Sequence, residues 1–181
     1  MGENKKILAF GASNSKESIN RKLAKFTAER IDGVVVNLLD LNEFEMPIYG
    51  IDNENEFGIP KKAFEFKNHL KAADAIIISF AEHNGAYTSA YKNIFDWISR
   101  VENDVWGNKP MFLLATSPGG RGATTVLEIA FNKISIMNSN IICQFSLPSF
   151  GKNFSEDDGI IDVALMAVFE EQLNKFKEAI L

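Results

Sequence analysis

The chain has 181 residues, 46% of them apolar, which is enough for one domain with a sizeable core. The formal net charge is −5 and no basic cluster occurs, so nucleic acids and anionic membrane surfaces are not expected as partners. The single cysteine excludes an intrachain disulfide framework and a multi-cysteine zinc site, and no metal site is expected. The lack of an apolar run of bilayer length predicts a cytoplasmic protein.

Apolar runs alternate with segments of helical period, which predicts an α/β fold with a parallel sheet between two layers of helices. The predicted strands are 6–10, 33–39, 74–80, 110–116 and 140–147. The predicted helices are 18–31, 60–72, 89–102, 122–137 and 160–180. The strands are apolar without alternation, which suits a sheet buried on both faces. Periodicity leaves the two common doubly wound strand orders open, but both place ligands beyond the carboxyl ends of the strands. Residues 1–181 are predicted to form a single domain, with 42–59 as its longest connecting loop.

The loop after the first predicted strand, GASNSKESIN at residues 11–20, is rich in small hydroxyl and amide side chains. It leads into a helical pattern, so its backbone N–H groups are expected at a helix N-terminus, where the dipole favours an anion. The hydroxyls of Ser13, Ser15 and Ser18 can add hydrogen bonds to phosphate oxygens. Serine and asparagine are also common helix caps, so the loop by itself fits either a cap or a phosphate site.

Two more loops follow the third and fourth predicted strands. The second, residues 81–88, has turn chemistry at Asn84-Gly85 and can present backbone groups to a planar heterocycle. The third, residues 116–122, contains Gly119 and Gly120, which let a backbone approach a flat ligand closely. An ordinary strand-to-helix turn is the alternative interpretation of the third loop. Three such loops at one edge of a sheet favour a shared ligand site.

Other chemistries lack the residues that they require. The sequence contains no Gly-x-Ser-x-Gly elbow, no Walker loop, and no Gly-x-Gly-x-x-Gly after the first predicted strand. His69 has no cysteine or histidine at ligand spacing. The helix predicted at 89–102 carries Phe95 and Trp97 on different sides, which indicates more apolar surface than one core needs and suggests a subunit interface.

The motifs resemble those of the NAD(P)H-dependent FMN reductases with a flavodoxin-like fold, a group that includes quinone, azo-dye and chromate reductases. The resemblance runs from about residue 7 to about residue 150. The first loop is similar to the family's Gly-Ser-x-Arg-x-x-Ser-x-Asn phosphate loop, with Ser15 where many members carry arginine. Residues 81–97 resemble Pro-Glu-Tyr-Asn followed by Leu-Lys-Asn-Ala-Ile-Asp-Trp, with Ala81 in place of the proline and His83 in place of the tyrosine. Residues 117–120 resemble the Ser/Gly-rich loop near the flavin ring.

This resemblance implies a flavodoxin-like doubly wound sheet of five parallel strands in the order 2-1-3-4-5, with helices on both faces and FMN across the three loops. It implies electron transfer from NADPH or NADH through FMN to a small acceptor: a quinone, an azo compound, a metal oxyanion or free flavin. It also implies a homodimer or homotetramer, and no catalytic side chain is needed. The expected cofactor-binding residues are Ser13, Ser15, Ser18, Ile19, Asn20, Glu82, His83, Asn84, Gly85, Ser117, Pro118, Gly119 and Gly120.

Two other interpretations remain open. The first is a flavodoxin-type electron carrier, although such carriers usually have a Thr/Ser-Gly-x-Thr-Gly loop and a strongly acidic surface. The second is a flavin-free interaction module that keeps the fold, which the departures from the family pattern at Ser15, His83 and Ala86 favour.

Overall fold

The computed structural model describes residues 4–180. Its strands are β1 (Lys5–Ala12), β2 (Val34–Leu39), β3 (Ala75–Phe80), β4 (Glu82–His83), β5 (Ala86–Tyr87), β6 (Met111–Thr116), β7 (Ile142–Leu147), β8 (Phe154–Ser155) and β9 (Gly159–Ile160). Its helices are α1 (Ile19–Glu29), α2 (Ile51–Phe57), α3 (Lys61–Ala72), α4 (Ser89–Val101), α5 (Thr124–Met137), α6 (Phe150–Asn153) and α7 (Val163–Ile180).

A parallel sheet in the order β2-β1-β3-β6-β7 forms the centre of this part of the chain. The order confirms the predicted 2-1-3-4-5 arrangement. Each of the five predicted strands and five predicted helices is present, and its observed ends lie within three residues of the predicted ends. Two short antiparallel pairs, β4-β5 and β8-β9, lie outside the sheet. Neither pair was predicted, because strands of two residues are too short to show a period.

Each face of the sheet is covered by its own set of helices. Leu8 and Phe10 of β1 pack with α3, α4 and α5, whereas Ile7 and Ala9 pack with α1 and α7. β3 and β6 are buried along their whole length, as expected for central strands. The edge strands β2 and β7 instead alternate between more and less buried residues, so the prediction of uniformly buried strands is wrong at the two edges.

The segment 42–59 is not the plain loop that was predicted. It contains a 3₁₀ turn at Leu41–Phe44 and the helix α2. Every residue of α2 is at least partly exposed, so no apolar stripe in the sequence indicates a helix. Gly50, at its N-cap position, has no side chain with which to cap it, so a local capping signal is also missing.

Polar groups on α4 hold this segment in place. Asn93 accepts a hydrogen bond from the Tyr49 N–H at 2.8 Å and donates to the carbonyl of Pro47 at 3.1 Å. The indole of Trp97 donates to the same Pro47 carbonyl at 2.7 Å. Both Phe95 and Trp97 are buried within the protein, so the predicted exposed interface at these two residues is wrong. No helix in residues 4–180 is both long and apolar enough to cross a membrane.

Candidate functional site

A cleft opens at the carboxyl ends of β1, β3 and β6, where the three predicted loops meet. Its lining comes from all three loops: Ser13, Ser15, Glu17, Ser18, Ile19, Asn20, Ala81, Glu82, His83, Thr116, Ser117 and Pro118. The remaining predicted residues, Asn84, Gly85, Gly119 and Gly120, lie further along the second and third loops. Glu17, Ala81 and Thr116 were not predicted. The strand-end rule gives the signal that would have found Ala81 and Thr116, since each lies where a central strand stops.

The first loop ends in a capped helix N-terminus. Ser18 has extended backbone geometry, and its Oγ accepts a hydrogen bond from the Arg21 N–H at 3.1 Å. The first backbone bond of α1 runs from the Lys22 N–H to the Ser18 carbonyl at 3.1 Å. The N–H groups of Ser18, Ile19 and Asn20 precede that bond, so they are donors without a place in the helical ladder. Together with the helix dipole they form an anion-binding end.

The hydroxyl groups of this loop keep a proton to donate. The Ser13 Oγ accepts from the Ser15 N–H at 3.2 Å and the Ser18 Oγ accepts from Arg21, which leaves each hydroxyl hydrogen for a ligand. Among the described residues that line the cleft, none is a lysine or an arginine, and Glu17 and Glu82 bring carboxylates to it. An anion beside α1 would therefore be held by N–H groups, hydroxyls and the helix dipole rather than by a lysine or an arginine.

The side chain of Asn20 is used within the protein. It is 2% exposed, its Nδ2 donates to the Thr116 carbonyl at 3.1 Å, and its Oδ1 accepts from the Thr116 N–H at 3.1 Å and from the Ser79 Oγ at 2.7 Å. These contacts tie α1 to the ends of β3 and β6. Asn20 was predicted as a phosphate ligand; its backbone N–H and the second hydrogen of its Nδ2 are the donors that these contacts leave for that role.

The second loop is a tight hairpin. Asn84 and Gly85 have φ values of 52° and 74°, the pattern of a type I′ turn, which an Asn-Gly pair adopts readily. The Tyr87 ring packs against Phe80 at 5.8 Å and Tyr91 at 5.0 Å between centroids. Burial raises the pKa of Tyr87 to about 12, so its phenol is protonated at neutral pH. The hairpin is therefore packed on uncharged aromatic side chains. Its His83 is exposed and lines the cleft.

The third loop is fixed by the N-cap residue and the first residue of α6. The Gly119 carbonyl accepts from the N–H groups of Gly122 at 3.2 Å and Ser149 at 2.9 Å. The Ser117 carbonyl accepts from the Phe150 N–H at 3.0 Å. These bonds hold Ser117 and Pro118 at the mouth of the cleft. The cleft therefore offers an anion site at α1 and two backbone walls between which a planar group can lie.

Comparisons with known proteins show what the chain as a whole is similar to. The profile described as NADPH-dependent FMN reductase matches residues 5–151. A protein of Bacillus sp. named NADPH azoreductase is 29% identical over 138 residues, which are 76% of this chain and 72% of that protein. A rice protein named probable NADPH:quinone oxidoreductase 2 is 24% identical over 177 residues, which are 93% of this chain and 85% of that protein.

A solved structure has the same fold. The flavoenzyme NAD(P)H:(acceptor) oxidoreductase FerB from Paracoccus denitrificans superposes with a TM-score of 0.76, covers 97% of each chain and is 23% identical in sequence. At that identity the likeness concerns the fold alone. The match with the family profile covers all three loops of the cleft.

Proposed function

The chain belongs to the NADPH-dependent FMN reductase family, and we propose that its three-loop cleft is the site at which it binds FMN. As a member of that family it is an NAD(P)H-dependent oxidoreductase that uses FMN. The observation that carries the site proposal is the convergence of the three loops on one cleft beside the N-terminus of α1.

The residues of the cleft suit the parts of FMN. Its phosphate would be held by the N–H groups of Ser18, Ile19 and Asn20 and by the hydroxyls of Ser13, Ser15 and Ser18, because these are the donors at the helix N-terminus. Its ring would lie between backbone groups of the hairpin 82–85 and those of the loop 117–120. The positive-φ turn of the hairpin and the glycines of the third loop both allow close backbone approach.

When bound, FMN supplies the redox chemistry, taking electrons from a reduced nicotinamide and delivering them to an acceptor. The protein binds, orients and controls access. We propose a quinone or an azo compound as acceptor, since the relatives above are named for those classes. Metal oxyanions and free flavin are the other acceptors to compare. We place the protein in the cytoplasm, where reduced nicotinamides are supplied.

An anaerobic titration with NADPH tests this function. The protein is supplemented with FMN and desalted, and the flavin absorption band is followed as NADPH and then NADH are added. Stoichiometric bleaching of retained flavin, followed by recovery of the band on adding a quinone or an azo dye, is the expected result. A retained flavin that neither nucleotide bleaches would indicate an electron carrier. Loss of all flavin on desalting and no saturable FMN binding would indicate an interaction module.

The substitution Ser15→Arg is expected to tighten FMN binding about tenfold or more, because a charge-assisted hydrogen bond to phosphate contributes about 1.5–3 kcal/mol. Fluorescence quenching measures the Kd for FMN and for riboflavin. Riboflavin has no phosphate, so its Kd should not change. Ser15→Gln is the matched control, with a long polar side chain but no charge. Equal tightening of both flavins would contradict a phosphate near Ser15.

We also propose that the chain assembles as a homodimer through the α2 surface, defined as Ile48, Ile51 and Phe57. These side chains are 84%, 54% and 76% exposed, and they lie within one ten-residue stretch. Exposed apolar side chains that are grouped rather than scattered mark interaction sites, and these three are grouped in the sequence. A second copy of the chain is the occupant that we propose, since a two-fold axis would bring the same apolar patch to both sides of the contact.

Light scattering on wild-type protein and on Phe57→Ser tests the assembly. The wild type is expected at twice the chain mass, and Phe57→Ser at the chain mass, because a polar residue in the interface removes apolar burial. Ile136→Ser changes an 82% exposed side chain on α5 and serves as the control. The mass of Ile136→Ser should stay at that of the dimer. If the protein is a tetramer with a second interface at Ile136, the mass of this variant should fall from that of the tetramer to that of the dimer. A monomeric wild type would refute the proposal.

A further inference from the structure

Hydrogen bonds join the loops of the cleft in pairs. The first and second loops are joined where the Thr88 Oγ1 donates to the Ala12 carbonyl at 2.9 Å. The first and third loops are joined where Asn20 binds both backbone groups of Thr116. Both ties are buried, so they fix two sides of the cleft with little freedom.

The third pair of loops is joined by a carboxylate. The Glu82 Oε2 accepts a hydrogen bond from the Val126 N–H at 3.1 Å. Val126 is the third residue of α5, the helix that begins directly after the third loop. Ala123 occupies the N-cap position with φ of 59°, and its methyl side chain cannot accept a hydrogen bond. Glu82 therefore caps α5 from another loop, in the role that a local Ser, Asp or Asn usually has.

The hairpin depends on such an anchor. Each of its strands has two residues, and a short isolated hairpin is at best marginally stable in water. Its turn also leans on α5, since a Cβ at Gly85 would lie 3.9 Å from the Thr125 Cγ2. The carboxylate contact is the charge-assisted bond between these two elements, and the positive end of the α5 dipole strengthens it.

We propose that Glu82 is a positioning residue, which sets the separation between the hairpin that carries His83 and the loop that carries Ser117 and Pro118. The proposal rests on the proposed function, because those two loops are the walls between which the FMN ring would lie. Glu82 acts through its bond to Val126 and need not touch the flavin with its side chain.

Four variants test the role of Glu82. Glu82→Ala removes the acceptor. Glu82→Gln keeps an oxygen acceptor of the same reach without the charge, and Glu82→Asp keeps the charge but shortens the reach by one methylene. Glu128→Ala, which removes an exposed carboxylate from α5, the helix that Glu82 caps, is the control. The measurements are hydrogen exchange at the Val126 amide, the Kd for FMN, and the visible circular dichroism of the bound flavin, which reports the asymmetry of its surroundings.

In Glu82→Ala we expect exchange at Val126 to quicken and the FMN Kd to rise, each about tenfold or more, because a hydrogen bond to a charged group is lost. The flavin dichroism should change as well. Glu82→Gln should weaken FMN binding only about fivefold, since it keeps a hydrogen bond that is weaker than one to a charged group, and should bind better than Glu82→Asp. If Glu82→Ala does not fold, the higher FMN affinity of Glu82→Gln than of Glu82→Asp still tests the proposal.

The outcomes separate this inference from the proposed function. A wild type that binds no FMN refutes the proposed function and the positioning role with it, whatever the exchange rate at Val126. A wild type that binds FMN, with Glu82→Ala equal to it in Kd and dichroism, refutes the positioning role alone. Lower thermal stability without a change in flavin dichroism shows a purely structural cap. Better binding by Glu82→Asp than by Glu82→Gln would show that the charge, not the bond, matters.

Discussion

Gly11→Ala is expected to abolish flavin binding and to destabilise the protein by about 3 kcal/mol or more, the upper end for an added methylene in a packed site. A Cβ at Gly11 would lie 2.4 Å from the Arg21 N and 2.8 Å from the Arg21 Cα. Both are backbone atoms of α1, so no side chain can turn aside to make room. Relief requires α1 to move away from the end of β1, and that movement displaces the N–H groups that form the anion site.

Gly50→Ala is the matched control for Gly11→Ala. Gly50 has extended backbone geometry, with φ of −158°, and a Cβ there would meet nothing within 4 Å. The free energy of unfolding of Gly50→Ala should stay within about 1 kcal/mol of wild type, the usual scale of a change at an N-cap. Urea denaturation measures both variants, and fluorescence titration measures their affinity for FMN. A Gly11→Ala protein as stable as Gly50→Ala would mean that α1 packs less closely on β1 than the structure has it.

Gly11 illustrates which information the sequence carried and which it did not. Apolar runs that alternate along the chain with segments of helical period predicted the sheet and its helices. The place of the cleft followed from the strand ends and the composition of the loops, which are also local patterns. The resemblance to the FMN reductases then selected the strand order. The contact between Gly11 and the backbone of Arg21 is different, since it depends on how closely a strand end and a helix approach, and no local pattern reports that distance.

Helix caps from distant residues were hidden for a similar reason. Rules for helix starts look for a capping side chain beside the first turn. α5 has Ala123 there, and its cap comes from Glu82, more than forty residues earlier. α2 has Gly50 there, and the segment before it is held by Asn93 and Trp97 of a later helix. Tertiary hydrogen bonds thus replaced local ones, and only the folded chain shows them.

Asn20 shows that one residue type can serve two purposes. The resemblance to the FMN reductases assigned this amide to the flavin phosphate. In the structure its Nδ2 donates to the Thr116 carbonyl, and its Oδ1 accepts from the Thr116 N–H and from the Ser79 Oγ. An amide is the side chain that can bind both backbone groups of one residue at once, so the same chemistry suits a bridge between α1 and β6.

Asn20→Ala is therefore expected to destabilise the protein without FMN by about 3 kcal/mol or more. The substitution removes the hydrogen-bond partner of three buried groups, which are the N–H and the carbonyl of Thr116 and the hydroxyl of Ser79. Each buried group left unsatisfied costs about 1–3 kcal/mol. Urea denaturation of the flavin-free protein is the measurement, with Ser15→Ala, a change at an exposed loop residue, as control. If the side chain served mainly as a phosphate ligand, Asn20→Ala would weaken FMN binding but leave the flavin-free protein as stable as the control.

Asn20→Asp distinguishes a lost donor from a general loss of packing, because it keeps the size of the side chain. A buried carboxylate cannot donate to the Thr116 carbonyl, and burial raises its pKa in the folded state above its unfolded value. Such a group contributes stability that is present below the unfolded pKa and is lost as the pH rises through the folded pKa. The deficit of Asn20→Asp relative to wild type should therefore shrink towards pH 4, where the protonated carboxyl can donate as the amide does. A deficit that stays constant between pH 7 and pH 4 would contradict the hydrogen-bonding role of Asn20.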